Sequence, residues 1–186
     1  MSKNMSDNMS SNMSKDLPEH PALRDVVLQS RIAQFIYREL NLLDNQQWQD
    51  WLDLFAEDAV YWAPATHDQP DPYSHVSLIF DDDLLRKVRV ARYETPYAFS
   101  LQPFPRSSHL VSNVLLEKNA QGEMPDDVIN VSARFLMTEF QKDTPIHYSG
   151  AYHYELLPQA GDFEIKLKKA ILVNCEGAQV SSSIYF

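Results

Sequence analysis

Cysteine is almost missing from this chain: among 186 residues there is one, Cys175. No intrachain disulfide can form, and an iron–sulfur centre of the two-Cys, two-His type cannot be built by this chain alone. A structural zinc site usually needs two or more thiolates or a tight His cluster, and the linear spacing offers neither. No Gly-rich turn or sequence-adjacent His frames Cys175, so it reads as an ordinary half-buried thiol. Glycine is scarce too, with four in all; neither GxGxxG nor a P-loop can be written, which removes the common nucleotide folds. Basic charge is outnumbered, 16 Lys and Arg against 26 Asp and Glu, for a net charge of −10. That balance argues against nucleic acid, whose recognition needs clustered cations. The richest basic cluster (Arg86, Lys87, Arg89, Arg92) follows Asp81-Asp82-Asp83 and reads as one charged helix face. No segment approaches the ~20 apolar residues of a membrane span, and no signal-peptide run opens the chain. The expectation is a cytoplasmic protein with no membrane partner.

What is present suffices for one core: 44% apolar residues, 11% aromatic. Residues 1–20 hold Asn-Met-Ser three times and little that packs, so they read as a disordered low-complexity tail. Residues 21–186 form the expected single domain. After Pro21, apolar residues recur at helical spacing from Leu23 to Leu43, widened by Ile32, Phe35 and Leu42. Asp44 or Asn45 can cap a second helix carrying Trp48, Trp51, Leu52 and Phe55. Val60-Tyr61-Trp62 reads as a short strand closed by Pro64, 66–80 as loop, Asp81–Tyr93 as a third helix, and 94–105 as loop. From Arg106 the period becomes two. Ile129, Val131, Ala133, Phe135 and Met137 alternate with polar residues, as Phe163, Ile165 and Leu167 do with Glu164, Lys166 and Lys168. Gln121-Gly122 and Pro158–Asp162 supply hairpin turns. Helices followed by four or five long strands predict an α+β fold, a curved antiparallel sheet wrapped over helices.

Three segments carry a resemblance. Phe35–Ala65 runs helix, short helix, strand, with Leu42-Leu43-Asp44 at the first break and Trp51-Leu52, Leu54, Asp58, Tyr61 and Pro64 after it. Arg106-Ser107-Ser108-His109 through Asn113-Val114 opens the first long strand, and Ile171-Leu172 precedes a terminus of two aromatics, Tyr185-Phe186. In this order they resemble the small (beta) subunit of bacterial aromatic-ring-hydroxylating dioxygenases. The resemblance implies a cone-shaped fold shared with nuclear transport factor 2, scytalone dehydratase and ketosteroid isomerase. It implies a mixed, mostly antiparallel sheet and a self-trimer of these subunits beneath three large (alpha) subunits. It also implies no cofactor in this chain. The Rieske 2Fe–2S cluster and mononuclear Fe(II) would lie in the large subunit and be served indirectly by a ferredoxin or reductase. The sequence departs from the family after Gly150, where Ala151-Tyr152-His153 replace the usual arginines and acid, and at Asn174 and Thr138-Glu139-Phe140. Those departures bear on subunit contacts, not on the fold.

Candidate sites follow. His147 and His153 share strand parity but lie roughly 20 Å apart on an extended strand, too far for one metal. His109 can face an interior acid, Asp58 or Asp81, and relatives of the fold use such pairs for proton transfer. The structural reading has Arg106, His109 and Asn113 fixing the sheet or an interface by hydrogen bonds, with Tyr185 and Phe186 packed at the terminus. Two further classes stay open: a free-standing dehydratase or isomerase using His109 and Asp58, and a non-catalytic ligand-binding trimer.

Overall fold

The structure, a computed structural model, describes residues 21–95, 97–118, 127–178 and 184–186. The chain order is α1 (Pro21–Asp44), α2 (Trp48–Leu52), β1 (Phe55–Pro64), β2 (Ser77–Asp81), α3 (Asp83–Glu94), β3 (Arg106–Glu117), β4 (Ile129–Gln141), β5 (Thr144–Gln159) and β6 (Asp162–Leu172). One six-stranded sheet runs β2-β1-β6-β5-β4-β3. All its pairs are antiparallel except β1 with β6. The expected α+β class, helices against a mixed but mostly antiparallel sheet, is what forms. The low-complexity segment 1–20 and the Gln121-Gly122 turn lie outside the described residues.

Helix α1 is amphipathic for the reason its spacing suggests. Ile32, Phe35, Ile36, Leu40 and Leu43 are all 3% exposed or less, and they press on the sheet. Toward the N-terminal end of the helix Leu23 and Val26 stay exposed. Neither Asp44 nor Asn45 caps α2: its N-cap is Gln47, which makes no side-chain capping bond. Asn45 bonds back to Asn41, and Asp44 is drawn into β3. Phe55 opens β1 instead of closing α2. Helix α3 starts where its acids predicted, with the Asp82 carboxylate accepting from the Leu85 amide as N-cap.

Two expectations about strands need correction. Ser77–Asp81, read as the end of a loop and the first residue of the third helix, is the edge strand β2, pairing Tyr61 with Asp81. A segment of five residues is too short for its periodicity to register. In β6 the alternation does not persist. Phe163 and Ile165 are buried, then the parity flips and Lys168, Ala170 and Leu172 face inward. The flip coincides with register breaks against β5 between Glu155 and Leu156 and against β1 between Phe55 and Val60. An irregularity in a ladder turns every later side chain over. Lys168 is therefore fully buried, not solvated.

The β5–β6 hairpin turns at Ala160-Gly161, with Gly161 at φ +90°. The β4–β5 hairpin turns on Lys142-Asp143, both in the left-handed region and without a glycine to announce it. On β5, Gly150 sits where a Cβ would overlap the Ile171 carbonyl and lie 2.8 Å from Phe135 Cε1. Phe135 stacks on Tyr152, with ring centroids 4.1 Å apart. Close strand approach requires glycine there. Among the described residues, no helix is long and apolar enough to cross a membrane.

Candidate functional site

The space between α1 and the sheet is filled by a polar cluster inside an aromatic shell. Glu39 falls on the apolar stripe of α1, and its carboxylate is fully buried. It accepts from Trp51 Nε1 at 2.6 Å, from Lys168 Nζ at 2.9 and 3.1 Å, and from the Tyr154 hydroxyl at 3.2 Å. The Lys168 ammonium also lies 4.7 Å from the Tyr152 ring centroid, with the Tyr61 and Tyr154 rings within 6 Å. Burial lowers the Lys168 pKa below its ordinary value of 10.5, against the opposing pull of Glu39. Burial and the Glu39 charge together raise the Tyr154 phenol. Four donor contacts satisfy the carboxylate, which is the condition for a buried ion pair to persist.

A second cluster ties the terminus down. Asp81 at the end of β2 takes a two-pronged contact from Arg89, 2.6 and 2.9 Å, and a 2.6 Å bond from the Tyr185 hydroxyl. The Tyr185 phenol is pushed up, first by burial and then by Asp81. The Tyr61 hydroxyl donates to the Phe186 carbonyl and accepts from its amide. Ile184, Tyr185 and Phe186 are each at most 4% exposed, so these three residues are packed as expected. Ile184–Phe186 join no ladder of the sheet.

His109 does find an acid, but not the one the spacing suggested. Asp58 is exposed on β1, and Asp81 is occupied by Arg89 and Tyr185. The partner is Asp44, the last residue of α1. It accepts from Ser107 Oγ at 2.7 Å, from the His109 amide at 2.8 Å and from His109 Nδ1 at 2.7 Å. The imidazole side chain is wholly covered, and its Nε2 has no hydrogen-bond partner among the described residues. Burial pushes the Asp44 carboxyl up, but the bonds and charge of His109 outweigh it and the net shift is downward from 3.8. Arg106 is elsewhere, its guanidinium over the Phe140 ring at 5.2 Å. Asn113 takes φ +53° where β3–β4 pairing breaks between Ser112 and Leu115. The three residues read as one set are thus not brought together.

His147 and His153 lie on the outer face of β5, beside Thr138 and Glu117 respectively. The same outer side carries apolar residues a lone subunit would not expose. Leu110 and Leu136 are direct cross-strand partners, 66% and 45% exposed, and Leu115 lies further along β3. A second exposed group, Leu84, Leu85 and Val88 on α3, is followed in the chain by exposed Tyr97 and Phe99. Apolar patches of this kind mark interaction surfaces.

Sequence reasoning missed Glu39, Asp44 and Lys168. Glu39 was detectable, since it interrupts the apolar positions Phe35, Ile36, Leu40 and Leu43. Lys168 was not, because its inward turn depends on the register break.

Residues 38–176 match the family model described as ring hydroxylating beta subunit. The 2-halobenzoate 1,2-dioxygenase small subunit of Burkholderia cepacia is 31% identical over 151 residues, which cover 77% of this chain and 87% of that one. The solved beta subunit of the benzoate 1,2-dioxygenase of Burkholderia mallei superposes with a TM-score of 0.64 at 30% identity, covering 77% of this chain and 89% of its own. A candidate scytalone dehydratase of Novosphingobium aromaticivorans, 14% identical, shares the fold with a TM-score of 0.56 over 80% of this chain and 85% of its own.

Proposed function

Because this chain belongs to the ring hydroxylating beta subunit family, we propose that it serves its aromatic-ring dioxygenase as a scaffold and performs no redox chemistry itself. The observation that carries this reading is the filled interior. Between α1 and the sheet, Glu39, Lys168, Trp51, Tyr61, Tyr152 and Tyr154 occupy the space, each at most 1% exposed. With one cysteine, the residues present do not fit a Rieske cluster. That cluster and the mononuclear Fe(II) belong to a large subunit in this proposal. Three copies of residues 21–186, each a single domain, hold three large subunits in register in the cytoplasm. The outward apolar residues Leu110, Leu115 and Leu136 on one face, and Leu84, Val88, Tyr97 and Phe99 on another, are the surfaces such an assembly covers. The whole enzyme adds both atoms of O₂ to an aromatic ring with NAD(P)H-derived electrons passed through a ferredoxin or reductase. Two of the proteins named above are subunits of benzoate and 2-halobenzoate dioxygenases, which makes these the first substrates to try.

The test is co-expression with a large subunit, followed by light scattering on the eluting complex and assay of dihydroxylation. A complex of six chains is expected, and Leu110→Asp with Leu136→Asp should release subunits that remain folded. The chain alone should show no Rieske absorption and no labile sulfide. A large subunit that assembles and turns over equally well without this chain refutes the proposal. One observation favours a second reading, an acid–base enzyme: the 2.7 Å His109–Asp44 pair, whose buried Nε2 has no partner among the described residues. Loss of all turnover in a normally assembled His109→Ala complex would select that reading.

A further inference from the structure

The strand pairing that places β6 beside β1 also joins the segments that follow them. The two strands are parallel neighbours, so both leave the sheet at the same end. His67, three residues past β1, there meets the turn after β6, which holds Cys175 and Glu176. His67 and Glu176 are 109 positions apart in sequence, and no linear motif could have announced them. One ligand-type atom from each of the three residues lies within 4.8 Å of the other two. The Glu176 carboxylate accepts from the His67 amide at 3.0 Å, and the His67 ring nitrogen Nε2 lies 3.1 Å from the Val173 carbonyl. The turn itself is held by bonds from the Cys175 amide to the Leu172 carbonyl and from the Gly177 amide to the Asn174 carbonyl. Cys175 is 3% exposed, whereas the His67 and Glu176 side chains reach it from solvent.

We propose that His67, Cys175 and Glu176 form a binding site for a zinc-type divalent cation that clips the segment after β1 to the turn after β6. The donor set defines the ion class. A thiolate, an imidazole and a carboxylate suit Zn²⁺ or Co²⁺, while Mg²⁺ and Ca²⁺ select oxygen ligands alone. Donating its Nε2 proton to Val173, the imidazole keeps its lone pair on Nδ1. A backbone carbonyl of this kind fixes the tautomer of metal-binding histidines. The Cys175 thiol lies within 4.8 Å of a Glu176 carboxylate oxygen, and binding of the cation by the thiolate releases the thiol proton to solvent. Thiolate and carboxylate then neutralise the two charges of the ion. Tetrahedral closure needs the donors to draw a little nearer than 4.8 Å, and two of the three residues, His67 and Glu176, are exposed on the surface. Three protein ligands leave a fourth position for water. The test of the clip uses this chain alone and does not depend on a large subunit.

The full-length chain, reduced and stripped with chelator, is titrated with Co²⁺ alone and then challenged with Zn²⁺. The expected result is a thiolate-to-cobalt charge-transfer band with the intense visible bands of tetrahedral Co²⁺, saturating at one ion per chain and erased by Zn²⁺. His67→Ala and Glu176→Ala, both surface changes, should weaken binding by on the order of tenfold or more and leave the circular dichroism unchanged. Cys175→Ser should abolish the charge-transfer band. Zn²⁺ should raise the melting temperature of the native chain but not that of His67→Ala. Absence of the band at saturating Co²⁺, or equal affinity in native chain and His67→Ala, would overturn the proposal.

Discussion

Replacing Glu39 by Met removes the acceptor that three interior donors share: the Lys168 ammonium, the Trp51 indole N–H and the Tyr154 hydroxyl. Breaking a buried pair from one side leaves the other charge uncompensated and typically costs ~3–5 kcal/mol. Set against a net stability of about 5–15 kcal/mol, that is a severe loss, roughly 6–20 °C in melting temperature for a domain of this size. Lys168→Met should cost less, because Glu39 retains its bonds from Trp51 and Tyr154. The double variant Glu39→Met, Lys168→Met removes the charge problem and leaves two neutral donors unpaired, at ~1–3 kcal/mol each. The two substitutions should therefore couple by about 2–3 kcal/mol in a double-mutant cycle. Urea unfolding followed by tryptophan fluorescence measures this directly, since Trp51 is itself a partner. The pH dependence has a definite sign. Burial lowers the folded-state pKa of Lys168 below 10.5, so the unfolded chain binds more protons in the interval between the two values. Stability from this group rises with pH across that window, and more strongly in Glu39→Met, where the main opposition to the lowering is gone. Losses that simply add in the double variant, with no coupling, would refute the interior ion pair as described.

Asp44 has a folded pKa below 3.8, so its bonds to Ser107 and His109 stabilise the native state at neutral pH. That contribution should fade as pH falls below the unfolded value and vanish once it passes the folded one, whereas Asp44→Asn should flatten this part of the acid-unfolding curve. His109→Ala should lower stability by ~1–3 kcal/mol through the groups left unpaired, and reduce assembly more than turnover per assembled complex. Gly150→Ala should destabilise sharply, since a Cβ there meets the Ile171 carbonyl and the Phe135 ring; thermal melts would show it, and an unchanged midpoint would mean the strands can part. Deleting Ile184–Phe186 removes two buried aromatics and the Tyr185–Asp81 bond, and size-exclusion chromatography should show loss of folded or assembled protein. An intact, unshifted melting transition after that deletion would contradict the packed terminus.

Local pattern was enough for the class of fold and for most elements. The 3.6-residue stripe of α1, the acids opening α3 and the strict alternation of β4 are properties of neighbouring residues, and neighbours decide them. The same holds for the buried terminal aromatics, because an Ile, a Tyr and a Phe in succession gain little from solvent. Partners across the fold were a different matter. Asp44 reads as a helix cap because capping is a local role; only the approach of α1 to β3 offers it three donors 63 to 65 residues away. Lys168 reads as solvated because alternation runs on until a break stops it, and that break arises from mismatched pairing with β1 and β5. His67 and Glu176 become neighbours only because two strands distant in the chain run parallel side by side. Periodicity records which face a residue shares with its neighbours; register and topology decide what that face meets.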